Sequence, residues 1–195
     1  MKRAIIGYGG FAREVAAHME LDDVKFFVDD EYWNSESKNL FKLSRFYSNE
    51  YEVIVAVGDS GIRNSIVSRL PISTRYFTFV HKSACVLDNS VLIGEGGIIC
   101  AGSIVTVNCK IGRHAHLNIN TTIGHDCVFG DFFTTAPGVN ISGNNTFGNR
   151  VYIGTGSSTR EKITICDDVT IGMQSGVIKN ITEPGTYIGS PARRL

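Results

Sequence analysis

From Leu87 to Val177 every sixth residue is large and apolar. The column runs Leu87, Ile93, Ile99, Val105, Ile111, Leu117, Ile123, Phe129, Thr135, Ile141, Phe147, Ile153, Thr159, Ile165, Ile171 and Val177, and only the two threonines depart from it. Glycine often follows directly, as at Gly94, Gly112, Gly124, Gly130, Gly148, Gly154 and Gly172. The residue four places on is usually small or β-branched, as at Ser103, Cys109, Ala115, Thr121, Cys127 and Val139. A period of six fits neither an amphipathic helix nor an alternating strand. It fits a solenoid of short flat strands and tight turns, three hexads to a triangular coil, with each large residue filling an interior corner and stacking on its equivalent one coil later. The glycine is expected to free the backbone at the bend. The column is long enough for about five coils, more than the roughly three such an array needs.

Residues 1–80 follow other rules. Residues 3–6 form a short apolar strand, the turn Gly7-Tyr8-Gly9-Gly10-Phe11-Ala12 follows at once, and a helix is expected from Arg13 onward. The turn matches G-x-G-x-x-A, whose glycines let a phosphate approach backbone amides at a helix N-terminus. A second strand at 25–28 ends in Asp29 and Asp30, about where an acidic residue meets ribose hydroxyls in dinucleotide folds. Residues 53–58 form a continuous apolar run ending at Gly58, as a strand buried on both faces should. A helix over 60–70 follows, with Ser60 as its cap, and then a strand at 76–80. The stretch 32–50 is polar and poorly patterned and is expected to be mostly loop. The whole is a small parallel α/β unit, about half the length of a full dinucleotide-binding domain, and so better suited to a nucleotide-linked small molecule than to NAD. The same glycine turn also suits a purely structural cap. The expected organisation is thus an α/β domain over 1–80 and a solenoid with a short tail over 81–195.

The chain carries 19 basic and 19 acidic residues with no long run of either sign, so nothing recommends nucleic acid or an anionic membrane as partner. No stretch approaches the roughly 18 uninterrupted apolar residues of a membrane span. The first ten residues reach glycine too soon for a secretory signal, and a cytoplasmic protein is expected. Cys85, Cys100, Cys109, Cys127 and Cys166 show no CxxC spacing, and Cys85, Cys109 and Cys127 fall at the small fifth position of a hexad. They read as reduced interior thiols.

The segment Gly124-His125-Asp126-Cys127 stands out on the solenoid. His125 takes an outward-facing place and Asp126 follows it. An imidazole is well tuned to accept a proton near neutral pH, and a neighbouring carboxylate raises its basicity. His114 and His116 form an H-x-H pair, which suits a shared zinc site only if a third ligand is supplied; none is evident and no metal is expected. Met173, Thr134, Gly143 and Thr155 carry no local signal of their own.

The glycine-turn α/β unit, the hexads, Gly124-His125-Asp126-Cys127 and the ending Gly189-Ser190-Pro191-Ala192-Arg193 together resemble bacterial sugar O-/N-acyltransferases of the sialic acid O-acetyltransferase type. The likeness is greatest to the branch that N-acetylates nucleotide-linked 4-amino-4,6-dideoxy sugars, and it covers nearly the whole chain. It implies a left-handed parallel β-helix, although crossovers are normally right-handed. It also implies a homotrimer, acetyl-CoA as acyl donor in the groove between β-helices, and a nucleotide-linked amino sugar as acceptor. On the resemblance, His125 is the base and Asp126 stands where the family commonly has Glu. Gly9, Gly10, Phe11, Asp29, Asp30 and Gly58 match positions that contact the nucleotide sugar, and Thr134, Gly143, Thr155 and Met173 match positions near acetyl-CoA. At the Thr134 position a relative can have His, and at the Met173 position Gly. Three alternatives stay open at this stage: O-acetylation of a sialic acid or similar hydroxyl, a zinc hydratase using His114 and His116, and a binding protein without chemistry.

Overall fold

The structure is a computed structural model that describes residues 2–19, 24–35 and 37–195. Its N-terminal part is a five-stranded parallel sheet in the order β3-β2-β1-β4-β5, formed by β1 (Lys2–Ile6), β2 (Lys25–Val28), β3 (Leu40–Lys42), β4 (Tyr51–Val55) and β5 (Arg75–Tyr76). Helix α1 (Gly10–His18) follows β1, and α2 (Ser60–Arg69) follows β4. Ala4, Ile5, Val53, Ile54 and Val55 have no exposed surface, as central strands covered on both faces require. The strand order reverses between β1 and β4, and this opens a crevice beyond their C-terminal ends.

The stretch 32–50 is mostly loop and turn, as expected, and also holds the three-residue β3. Two expectations for this part are corrected. Asp59, not Ser60, caps α2: its carboxylate accepts from the Ile62 amide at 2.8 Å. The strand expected at 76–80 is divided between two sheets, with Arg75–Tyr76 closing the α/β sheet and Phe79–Val80 opening the solenoid.

The solenoid is the left-handed parallel β-helix that the resemblance implies. Two-residue strands stack in three sheets. The first face carries Phe79–Val80, Ile98–Ile99, His116–Leu117, Thr134–Thr135, Tyr152–Ile153 and Val169–Ile171; the second includes Ile104–Val105, Thr122–Ile123, Asn140–Ile141 and Ser158–Thr159; the third includes Lys110–Ile111, Val128–Phe129 and Thr146–Phe147. From Ile93 onward the predicted column is interior, and Ile99, Val105, Leu117 and Ile153 are fully buried. Each such side chain contributes about 1.5–3 kcal/mol relative to exposure. The two threonines are buried with partners. The Thr135 hydroxyl lies 2.7 Å from that of Thr121, and Thr159 accepts from Asn145 at 2.7 Å.

Two readings of the repeat need correction. Val86, not Leu87, pairs with Val105, so the first coil holds one extra residue and Leu87 is 55% exposed. The same slip leaves Cys85 exposed, whereas Cys109 and Cys127 are interior as expected. The glycines after the large residues are not there for left-handed backbone. That conformation falls two places later, at Asn108, His114, Asn120, Asp126 and their equivalents, with φ near +55 to +61°. The glycines allow coil to lie on coil: a Cβ on Gly112 would come within 2.5 Å of Gly130 carbonyl carbon, and one on Gly154 within 2.6 Å of the Met173 amide.

The α/β part packs on the first face of the prism. Ile98 and Cys100 share a core with Ile5, Ala12, Val15 and Phe77, and Phe11 lies against His116 with ring centroids 5.2 Å apart.

Candidate active site

His125 lies at the edge between the second and third faces, in the turn joining Thr122–Ile123 to Val128–Phe129. Its side chain is 58% exposed. Asp126 occupies the left-handed position of that turn, φ +59°, and this bends its carboxylate back to the ring. His125 Nδ1 donates to Asp126 Oδ2 at 2.7 Å, and Asn108 Nδ2, one coil earlier, donates to Asp126 Oδ1 at 3.1 Å. These hydrogen bonds, from His125 first and Asn108 second, hold the Asp126 carboxyl below the usual carboxylate range. A carboxylate on Nδ1–H leaves the lone pair on Nε2. Gly143, in the next coil, lies directly against that side of the ring: a Cβ there would stand 2.8 Å from Cε1 and Nε2. Cys127 is fully buried, and its interaction with Cys109 together with burial keeps it a thiol.

The α/β part carries two cavities around its glycine turn. One, of about 410 Å³, is bounded by Gly7, Tyr8, Gly9, Asp29, Tyr32 and apolar side chains including Val28, Leu43 and Ile62. The other, of about 550 Å³, lies between the α/β part and the first face, bounded by Phe11, Gly58, Asp59 and Ser60 on one side and by His116, Asn118, Thr134, Pro137, Tyr152, Thr155 and Thr170 on the other. The glycines of the turn sort by role. Gly7 has φ +112° and its Cβ would meet Ala56 O at 3.0 Å, so it is needed by the fold itself. Among the described residues, an added Cβ at Gly9, Gly10 or Gly58 would meet nothing within 4 Å. Their amides flank open space at the N-termini of α1 and α2, where anions bind well.

The other expected residues are placed as follows. Asp29 borders the smaller cavity but is held by Arg69, which donates from Nη1 and Nη2 at 2.8 and 2.9 Å. Asp30 accepts from the Ser44 hydroxyl at 2.8 Å and lies 3.9 Å from Lys42. Thr134 and Thr155 border the larger cavity. Met173, 70% exposed, follows the Val169–Ile171 strand at the edge between first and second faces. Within one chain, then, His125, Asp126 and Gly143 share one edge of the prism, while Thr134, Thr155 and Met173 lie on the first face or at another edge. Thr134 also has hydrogen-bond partners of its own. Its hydroxyl accepts from Arg63 Nη2 at 2.6 Å and donates to Phe132 O at 3.3 Å, so its proton is taken.

His114 and His116 are both 1% exposed. His114 stacks on Phe132 with centroids 5.2 Å apart and meets the Tyr76 ring at 4.6 Å. Burial first, then Arg63 and Arg113, pushes its imidazole down to about 4. His116 is likewise held well below the ordinary range, by burial foremost. Among the described residues neither ring reaches a hydrogen-bond partner, although the Val55 carbonyl lies near His116. Among the described residues no group of three His, Cys, Asp or Glu side chains is arranged to hold a metal ion, and no helix is long and apolar enough to cross a membrane.

Residues 2–70 match the family model described as the PglD N-terminal domain. The chain is 27% identical over 175 residues to a GDP-perosamine N-acetyltransferase of Escherichia coli O157:H7, covering 82% of this chain and 78% of that protein. It spans less than half of the UDP-3-O-acylglucosamine N-acyltransferases of Arabidopsis thaliana and Methylococcus capsulatus that it also matches, 46% and 34% of their lengths. Among solved structures it is similar to the acetyltransferase domain of PglB from Neisseria gonorrhoeae FA1090 in complex with acetyl coenzyme A. That match has a TM-score of 0.88 and 28% identity, and covers 99% of this chain and 98% of that one. WeeI from Acinetobacter baumannii AYE gives a TM-score of 0.89 and 29% identity, with 99% of both chains covered.

Proposed function

We propose that the chain belongs to the hexapeptide-repeat sugar N-acetyltransferase family and that it transfers the acetyl group of acetyl-CoA to the amino group of a nucleotide-linked amino-dideoxy sugar. The observation that carries this reading is the His125–Asp126 pair: an imidazole bound at 2.7 Å on one nitrogen, with its other nitrogen facing outward beside a glycine. Residues 1–80 hold the nucleotide sugar, with Gly9, Gly10 and Gly58 offering open amides to its phosphates and Tyr8, Tyr32 and Asp29 bordering the pocket for its nucleoside. Residues 81–195 hold the acyl donor.

His125 Nε2 takes a proton from the acceptor nitrogen as that nitrogen's lone pair forms the bond to the thioester carbonyl carbon. The carbon–sulfur bond then breaks, and the proton returns through the imidazolium to the departing thiolate. Asp126 keeps the ring oriented through the hydrogen bond on Nδ1. With the Thr134 proton taken, the developing oxyanion needs another donor, and the backbone amide of Gly143, beside the ring, is the one we assign. The positions expected near acetyl-CoA lie on two different edges of one chain. We therefore propose a homotrimer, in which the His125 edge of one copy faces the larger cavity of its neighbour. We propose that it acts in the cytoplasm.

Purified protein given acetyl-CoA and a panel of nucleotide-linked 4-amino-4,6-dideoxy sugars should release free thiol and yield an amide product. Thiol release with sialic acids and none with amino sugars would replace this reading by O-acetylation. Sedimentation equilibrium should report three chains.

A further inference from the structure

Arg63 has no exposed surface, and every one of its five N–H donors is used. Nε donates to His114 O at 3.0 Å, Nη1 to Val57 O at 2.6 Å and Gly58 O at 3.2 Å, and Nη2 to Phe132 O at 3.0 Å and Thr134 Oγ1 at 2.6 Å. None of these acceptors is a carboxylate. Burial lowers the guanidinium to about 9, which leaves it cationic at neutral pH. An arginine spent only on holding two parts together is a poor device, since well-packed apolar side chains in its place are often neutral or stabilising.

The identity of the acceptors gives a better reason. Two carbonyls, of Val57 and Gly58, belong to the loop that leads into α2. The other three groups belong to the prism: Thr134 lies on its first face, and His114 and Phe132 in the turns that lead into that face. Gly58 and Thr134 both border the larger cavity, from opposite sides. Arg63 itself reaches neither solvent nor the cavity's contents, so whatever it does for the reaction it does through the groups it holds. Its planar fork fixes their separation and angle together, which the point charge and three donors of a lysine cannot do.

We propose that Arg63 is a positioning residue, which sets the spacing between the loop facing the nucleotide sugar and the strand facing the acyl donor. This rests on the transferase reading above. Each substrate keeps its own contacts when Arg63 changes, and what is lost is their alignment. Misplacement by about 1 Å costs on the order of a hundredfold in rate.

The test is steady-state kinetics on the full-length native protein, Arg63→Lys, Thr134→Val, Thr134→Ser and the Arg63→Lys/Thr134→Val double variant, well below each melting temperature. Arg63→Lys should lower kcat about ten- to a hundredfold with the KM of each substrate near native. Thr134→Val should lower kcat too, Thr134→Ser should restore it, and the double variant should lose little more than Arg63→Lys alone. A folded Arg63→Lys protein with native kcat and only a lowered melting temperature would overturn the proposal, and so would losses that multiply in the double variant. If Arg63→Lys does not fold, the threonine pair decides: native kcat in Thr134→Val overturns it. A native protein inert towards every amino sugar refutes the transferase reading instead, a result distinct from either.

Discussion

Lowering the pH from 7 to 5 should weaken the fold by way of His114, and the size of the effect can be worked out. The ring is 1% exposed, stacked on Phe132 and met by Tyr76, with Arg63 and Arg113 as its cationic neighbours and Asp131 as the opposing anion. Its folded pKa is about 4 against 6.5 for a free imidazole. Between these values the unfolded chain binds a proton that the folded chain does not, so stability falls as pH drops through 6.5 and is fully lost to this group near 4. The full difference is roughly 3.4 kcal/mol at 1.36 kcal/mol per pH unit, and the part realised between pH 7 and 5 is about 2 kcal/mol. Against a total of about 5–15 kcal/mol for a typical protein this is a large fraction. Asp30, Asp88, Asp126 and Asp168 titrate below 3.8 and stay outside the window. His116 acts in the same direction as His114. The comparison is therefore with His114→Asn, which leaves His116 in place. Asparagine suits the left-handed turn, as Asn108, Asn120 and Asn144 do at φ +56, +56 and +60°. Urea unfolding at fixed protein concentration should show the variant losing about 2 kcal/mol less than the native protein between the two pH values. Equal losses would mean that the buried ring accepts a proton by pH 5, and the account of its environment would be wrong.

His125→Ala should lower kcat by about 10²–10⁴ with both KM values near native; near-full turnover would remove His125 from the mechanism. Gly143→Ala places a methyl group 2.8 Å from the ring's outward nitrogen and should cost on the order of tenfold to a hundredfold in kcat by turning the imidazole. Unchanged kinetics there would show the ring free to move aside. Asp29→Ala should raise the KM for the nucleotide sugar well above that for acetyl-CoA, and equal effects on the two would detach Asp29 from the nucleoside pocket.

The repeat was legible because a six-residue period has few structural solutions, and nearly every interior position from Ile93 on was named by it. The slip at Leu87 was not legible, since Val86 and Leu87 are both apolar and either satisfies the pattern. The meaning of the paired glycines was misread for a related reason. A glycine looks the same in sequence whether it serves a positive φ or a close approach, and here the neighbouring coil decides. His125 and Asp126 could be chosen by type and adjacency, and the 2.7 Å contact follows from their place in one turn. Arg63 gave no signal. It lies in a helix with Arg69 and polar residues, and only the prism arriving more than fifty positions later buries it. The commitment of the Thr134 hydroxyl was hidden for the same reason, because its partner belongs to another part of the chain.

Thr122 faces Asn140, Asn140 faces Ser158, and Ser158 faces Gly176, each eighteen residues on. In the middle of the column these pairings survive a change of length only if it is a whole circuit; at its ends the spacing already differs, with Val86 opposite Val105 and Ile171 opposite Tyr187. Excising eighteen consecutive residues from the middle would let the cut surfaces meet with every methyl group still pointing inward, whereas removing seventeen would turn the remainder of the column outward into water. The His125 turn would keep its geometry after such an excision as long as the circuits directly above and below it are retained.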